Sequence, residues 1–132
     1  KQFIEKSSDK TIDLVSDGEV LENLIFISNG SPGKLLEYLN TWNQIPNNIK
    51  FEIRFPLKNY ENILFLSKNI TTHLNSHQQE LLLNYMQRDW WQKTKDKKIA
   101  EILEAIKINI NSNIQPRLAW EVGLLKIKLE SY

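Results

Sequence analysis

An all-α fold follows from three features of this chain. Glycine and proline are scarce, with four of each in 132 residues. Apolar residues recur at three- and four-residue spacing rather than in alternation, the signature of helix over strand. The breaks between those runs are short and made of Asn, Ser, Pro and Gly, residues that cap or stop helices. Ile, Leu, Val and Phe number 42, about a third of the chain, against the roughly 20% below which chains stay disordered. One or two small cores are therefore expected.

Asp17-Gly18 forms a turn, after which Val20, Leu21, Leu24, Ile25 and Ile27 keep helical spacing. Asn29-Gly30 is a helix stop. Ser31 then caps a second helix with Pro32 at its first position, followed by Leu35, Leu36, Leu39 and Trp42. Pro46 and Pro56 bracket a short segment, either a brief helix or extended chain. Leu57, Tyr60, Ile63, Leu64 and Phe65 predict a further helix, ending near Ile70, Thr71 and Thr72. Ser76 with Gln79 three residues on reads as a capping box. It opens a long helix through Leu82, Met86, Trp90 and Trp91, ended by a charged break at residues 93–98. Ile99, Ile102, Leu103, Ile106 and Ile110 give an amphipathic helix, with residues 109–113 turn-like. Pro116 opens the last helix. Leu118, Val122, Leu125 and Leu129 lie on one of its faces, and Trp120, Leu124 and Ile127 form a second apolar stripe. The best boundary lies near residues 44–48, dividing the chain into residues 1–45 and 46–132.

Composition excludes several function classes. With no cysteine, a disulfide scaffold, a thiolate metal site and a Cys nucleophile are all ruled out. No apolar run approaches the roughly 18 residues of a membrane span, and no signal peptide is visible, so a cytoplasmic protein is expected. The chain begins at Lys1 rather than Met, so a longer parent is expected. Seventeen basic residues against sixteen acidic ones leave a net charge of +1, too little for a global field toward nucleic acid. The charges are slightly segregated. Residues 1–46 hold four lysines and seven acids, and residues 47–132 hold thirteen basic residues and nine acids.

Local motifs offer little chemistry. His73 and His77 are four apart, with Glu80 beyond them, and on one helix that spacing would suit zinc. The helix start at Asn75-Ser76 separates them, so they read as solvated turn histidines. No nucleophile elbow or complete phosphate loop is present. Gly30, Ser31, Pro32, Gly33 and Lys34 form the loop nearest to an anion site. Pro32, however, removes one of the free N–H groups such sites use. Trp90 and Trp91 followed by Lys93, Lys95, Lys97 and Lys98 mix rings with cations, as single-strand stacking platforms do. Asp89 and Asp96 dilute that patch. Trp90 continues the Leu82 and Met86 stripe into the core, and Trp91, about 100° round the helix, faces a surface or a partner. The last helix is apolar on more than one face, so it is either central in its bundle or packed against another chain.

Two segments carry a resemblance. Ile25-Phe26-Ile27-Ser28-Asn29-Gly30-Ser31-Pro32-Gly33-Lys34-Leu35-Leu36 resembles the lid subdomain of bacterial DNA polymerase III clamp-loader subunits, closest to the delta-prime type. Gln115-Pro116-Arg117-Leu118-Ala119-Trp120-Glu121-Val122, followed by Leu124-Leu125, is similar to the last collar helix of that family, in wording that looks cyanobacterial. The resemblance covers essentially the whole chain. It implies that residues 1–45 are the end of an AAA+ lid and residues 46–132 a helical collar that joins subunits.

The lid helix of ATP-hydrolysing relatives carries a sensor Arg in Gly-Ser-x-Arg. Here Gly33 stands at that place with Lys34 beside it, and glycine cannot hold phosphate charge. That departure matches the delta-prime type. The resemblance implies no catalysis, cofactor or metal in this part. It implies gamma/tau and delta subunits as partners, and through them the sliding clamp and primed DNA. Trp91, Arg117, Trp120 and Glu121 are the candidates for collar contacts or for orienting the collar helix. Two other readings remain open. One is a nucleic-acid-binding helical domain using Trp90, Trp91 and residues 93–98 together with Arg88 and Lys50 or Lys58. The other is a small enzyme or ligand-binding bundle around His73, His77 and Glu80.

Overall fold

The computed structural model describes residues 18–112 and 114–131. Among these residues there are seven helices and no strand, as the spacing of apolar residues predicts. The chain divides into two compact units, the first ending at Gln44 and the second beginning at Ile45.

In the first unit, α1 (Gly18–Ile27) packs against α2 (Pro32–Gln44). The chain reverses between them because Asn29 (φ 57°) and Gly30 (φ 78°) both adopt the left-handed conformation that stops a helix. The Ser28 N–H donates to Leu24 O at 3.0 Å and the Asn29 N–H to Phe26 O at 3.1 Å, which satisfies carbonyls in the last turn of α1. Ser31 then caps α2, its hydroxyl accepting the Lys34 N–H at 3.2 Å.

The second unit starts with the short α3 (Asn47–Glu52). Then α4 (Tyr60–His73) is capped by Asn59, which accepts the Asn62 N–H at 2.7 Å. The long α5 (Ser76–Thr94) opens on a capping box displaced by one residue from the expected Ser76 and Gln79. Asn75 accepts the Gln78 N–H at 2.8 Å, and Gln78 in turn accepts the Asn75 N–H at 2.9 Å. An asparagine caps at least as well as a serine, and the shift releases Gln79 to the interior. The charged break is a tight corner: Lys95 takes the left-handed conformation (φ 52°), and Asp96 caps α6 (Lys97–Ile110) by accepting the Lys98 N–H at 2.9 Å. The expected turn at residues 109–113 starts later, since α6 continues through Ile110. The last helix, α7, is Pro116–Ser131.

Helix α6 packs on α5 and on α7, α4 packs on α7, and α3 packs on α4. Two-residue links and side-by-side packing make α5 and α6 antiparallel. The Lys128 ammonium donates to Lys58 O at 2.7 Å, which brings the end of α7 to the start of α4. The core contains Ile63, Leu66 and Ile70 of α4, Leu82, Met86 and Trp90 of α5, Leu103 and Ile106 of α6, and Trp120, Leu124 and Ile127 of α7, all almost fully buried.

Both core tryptophans have their polar atom satisfied, as a buried indole N–H requires. Trp90 Nε1 donates to Ile53 O at 3.0 Å, with the Phe55 ring edge-on at 5.3 Å. Trp120 Nε1 donates to Gln79 Oε1 at 2.9 Å, and Gln79 Nε2 donates to Leu74 O at 3.0 Å. This buried relay ties α7 to the start of α5 and explains why Gln79 is in the core.

Gly123 lets α6 and α7 approach closely. A Cβ there would overlap Cγ1 and Cδ1 of Ile106, a β-branched side chain with little rotamer freedom. Overpacking of this kind costs about 1–3 kcal/mol, more than the roughly 0.5–1 kcal/mol that alanine gains over glycine in a helix. Gly123→Ala is therefore expected to lower the melting temperature by several degrees, read by circular dichroism.

Candidate functional site

Of the two apolar stripes on α7, the structure turns one inward. Trp120, Leu124 and Ile127 are fully buried, and Ala119 and Gly123 lie beside them, also buried. The second stripe, Leu118, Val122, Leu125 and Leu129, is on the opposite side of the same helix at i, i+4, i+7 and i+11. It is open to solvent: Leu118 is 50%, Val122 42% and Leu129 68% exposed, with Leu125 intermediate. Four aliphatic side chains in one line along an outer helix are an unusual surface for an isolated chain. Arg117 and Glu121 border the stripe at the start of α7, joined at 2.9 Å. An exposed pair of this kind contributes about 0–1 kcal/mol, so its effect is to set a polar rim rather than to hold the fold.

The other sequence-derived candidates fall in different places. Trp120 is a core residue out of reach of any partner, so it can act on an interface only by holding α7 in place. Trp91 is 38% exposed near the end of α5, with the Lys95 ammonium 5.7 Å from its ring centre. Trp90 is fully buried and cannot stack on a base. Lys93 pairs with Asp89 at 3.0 Å and Lys98 with Glu130 at 3.6 Å, so residues 93–98 are partly neutralised. Lys50 is half-buried, and burial lowers its ammonium from 10.5 to about 8.

That shift has a sign that can be measured. Between about pH 8 and 10.5 the unfolded chain keeps the Lys50 proton that the folded chain has released. Over that window the residue makes stability rise with pH, and below about pH 8 its full penalty is present. Lys50→Met is expected to raise the melting temperature at pH 7, with the gain disappearing as pH approaches 10.5.

His73 closes α4, whereas His77 is in the first turn of α5, and both are exposed. The helix break places them on separate elements, as their sequence context predicts. Among the described residues, no three His, Asp or Glu side chains gather as metal ligands. An open cleft of about 270 Å³ lies between Lys98, Glu101, Ile102, Ala105 and Glu130, near the Lys98–Glu130 ion pair. In the loop Gly30, Ser31, Pro32, Gly33 and Lys34, the Ser31 hydroxyl is engaged as a helix cap.

The family model of the cyanobacterial DNA polymerase III delta prime C-terminal domain matches residues 6–127. The chain belongs to that family. No curated protein and no solved structure gives a significant match. The delta prime C-terminal domain is a non-catalytic part of the polymerase III complex, and its family implies membership in the clamp-loader assembly. The seven helices of the described residues are consistent with an all-α C-terminal domain. No helix among the described residues is long and apolar enough to cross a membrane.

Proposed function

We propose that this delta prime domain joins its subunit to neighbouring gamma/tau and delta subunits through a helical collar, residues 46–132, in the cytoplasmic assembly that loads the sliding clamp onto primed DNA. Residues 1–45 would then be the end of the AAA+ lid. In that lid Gly33 replaces the sensor arginine, so this subunit leaves ATP chemistry to its neighbours.

The observation that supports assembly most is the outward stripe of Leu118, Val122, Leu125 and Leu129. Covering such a stripe with a neighbour's helix removes apolar surface from water, at about 25 cal/mol per Å². Arg117 and Glu121 at its edge supply a polar rim, as interfaces commonly have. Trp91, on a different helix, is a further exposed candidate contact. The test is co-elution of this chain with gamma/tau and delta from the same organism, followed by light scattering. A defined hetero-complex is expected. Separate elution under all mixing conditions would count against the collar reading.

A further inference from the structure

One end of the second unit gathers cations over exposed rings. The Arg54 guanidinium and the Lys58 ammonium lie 5.4 and 4.8 Å from the centre of the Phe51 ring. The Lys128 ammonium lies 5.4 Å from the Tyr60 ring, and the Lys95 ammonium 5.7 Å from the Trp91 ring. These residues come from α3, the segment before α4, the start of α4, the end of α5 and the end of α7. The fold brings them to one end. The Trp90 N–H on Ile53 O and the Phe55 ring on Trp90 fix the 51–58 segment to the end of α5, and Lys128 on Lys58 O adds the end of α7.

We infer that this end is a binding surface for single-stranded nucleic acid, with Phe51, Tyr60 and Trp91 as stacking rings and Arg54, Lys58, Lys95 and Lys128 as phosphate contacts. The pairing itself supports this choice. A cation over a ring keeps its full charge, because the ring is neutral, whereas a cation against a carboxylate is cancelled. Arg54 and Lys95 have no carboxylate partner among the described residues, and Lys58 has only the loose contact to Glu52 at 3.7 Å. Phe51 is about half exposed, an aromatic area left in water beside the charges of Arg54 and Lys58, and Tyr60 is exposed to a similar degree. Exposed rings beside cations match what an unpaired strand offers, which is flat bases carried on a charged backbone. A duplex hides its base faces, and an acidic peptide has nothing to stack. Phe51 and Tyr60 are not among the candidate collar contacts, whereas Trp91 is, so the test of this surface rests on Phe51.

The test uses the whole chain and a fluorescein-labelled oligothymidylate, with fluorescence anisotropy across a salt titration. Binding at low salt is expected, with log K falling by about 0.7 per phosphate neutralised for each decade of salt. Phe51→Leu should weaken binding about 5- to 150-fold, the loss of one stacked base, with the salt slope unchanged. Phe51→Trp should preserve affinity. Arg54→Ala with Lys58→Ala should flatten the slope. All three positions are on the surface, and circular dichroism checks that each variant is folded. Three outcomes would overturn the inference: no binding at low salt, equal affinity for a duplex or for polyglutamate, or a Phe51→Leu variant that binds as well as the parent.

Discussion

Replacing Trp120 by alanine is expected to remove about 3–5 kcal/mol of stability. The side chain is fully buried, and its loss also leaves Gln79 Oε1 without its indole donor. An unsatisfied buried acceptor adds about 1–3 kcal/mol where no water reaches it. Domains of this size have only about 5–15 kcal/mol in total, so the variant is expected to be partly unfolded near body temperature. Urea denaturation checks this: the midpoint should fall sharply. Trp91→Ala should shift it by well under 1 kcal/mol, because that ring is a surface group. Trp120→Phe separates the two contributions, keeping most of the apolar volume while orphaning Gln79. A complex lost on Trp120→Ala would therefore report a collapsed fold and could not by itself locate an interface.

The opposite pattern is expected for Val122→Asp combined with Leu129→Asp. Both side chains point away from the core, so folding should be nearly unaffected, within about 0.5 kcal/mol each. If α7 docks on a neighbour, each carboxylate enters a dry contact with no partner, which is costly. Hetero-complex affinity should fall at least about 100-fold, equivalent to about 2.7 kcal/mol. Isothermal calorimetry against the gamma/tau partner gives that number directly. Together the two experiments separate α7's inner stripe, which is buried in the core, from its outer stripe, which is proposed to dock on a neighbour.

The helices themselves were legible from spacing and caps, because both are local properties of the chain. Asn29-Gly30 had to stop a helix, and Ser31-Pro32 had to start one. Errors of one or two residues arose where neighbouring residues compete for the same role. Asn75 rather than Ser76 caps α5, and α6 runs on through Asn109 to Ile110.

The direction of α7 was not legible. Its two apolar stripes have equivalent spacing, and spacing alone cannot say which one faces inward. Gly123 and Ala119 carried the missing signal. They are small residues beside Trp120 that permit close approach, so the core had to be on their side. The aromatic and cationic end was also hidden, because Phe51, Tyr60, Trp91 and Lys128 are far apart in sequence. Their segments are drawn toward one end of the unit by long-range contacts, among them the Trp90–Ile53 and Lys128–Lys58 hydrogen bonds. The Trp90-Trp91 pair was half legible. Its helical phase put Trp90 in the core and left Trp91 outside.

The outer stripe of α7 is the proposed assembly face. Native mass spectrometry of this chain mixed with the gamma/tau and delta subunits tests it most directly, comparing the parent with the Val122→Asp, Leu129→Asp double variant. A defined hetero-complex in the parent, absent from a double variant that remains folded, is the predicted result. A complex of equal abundance in both would contradict the claim and place the assembly surface elsewhere on the domain.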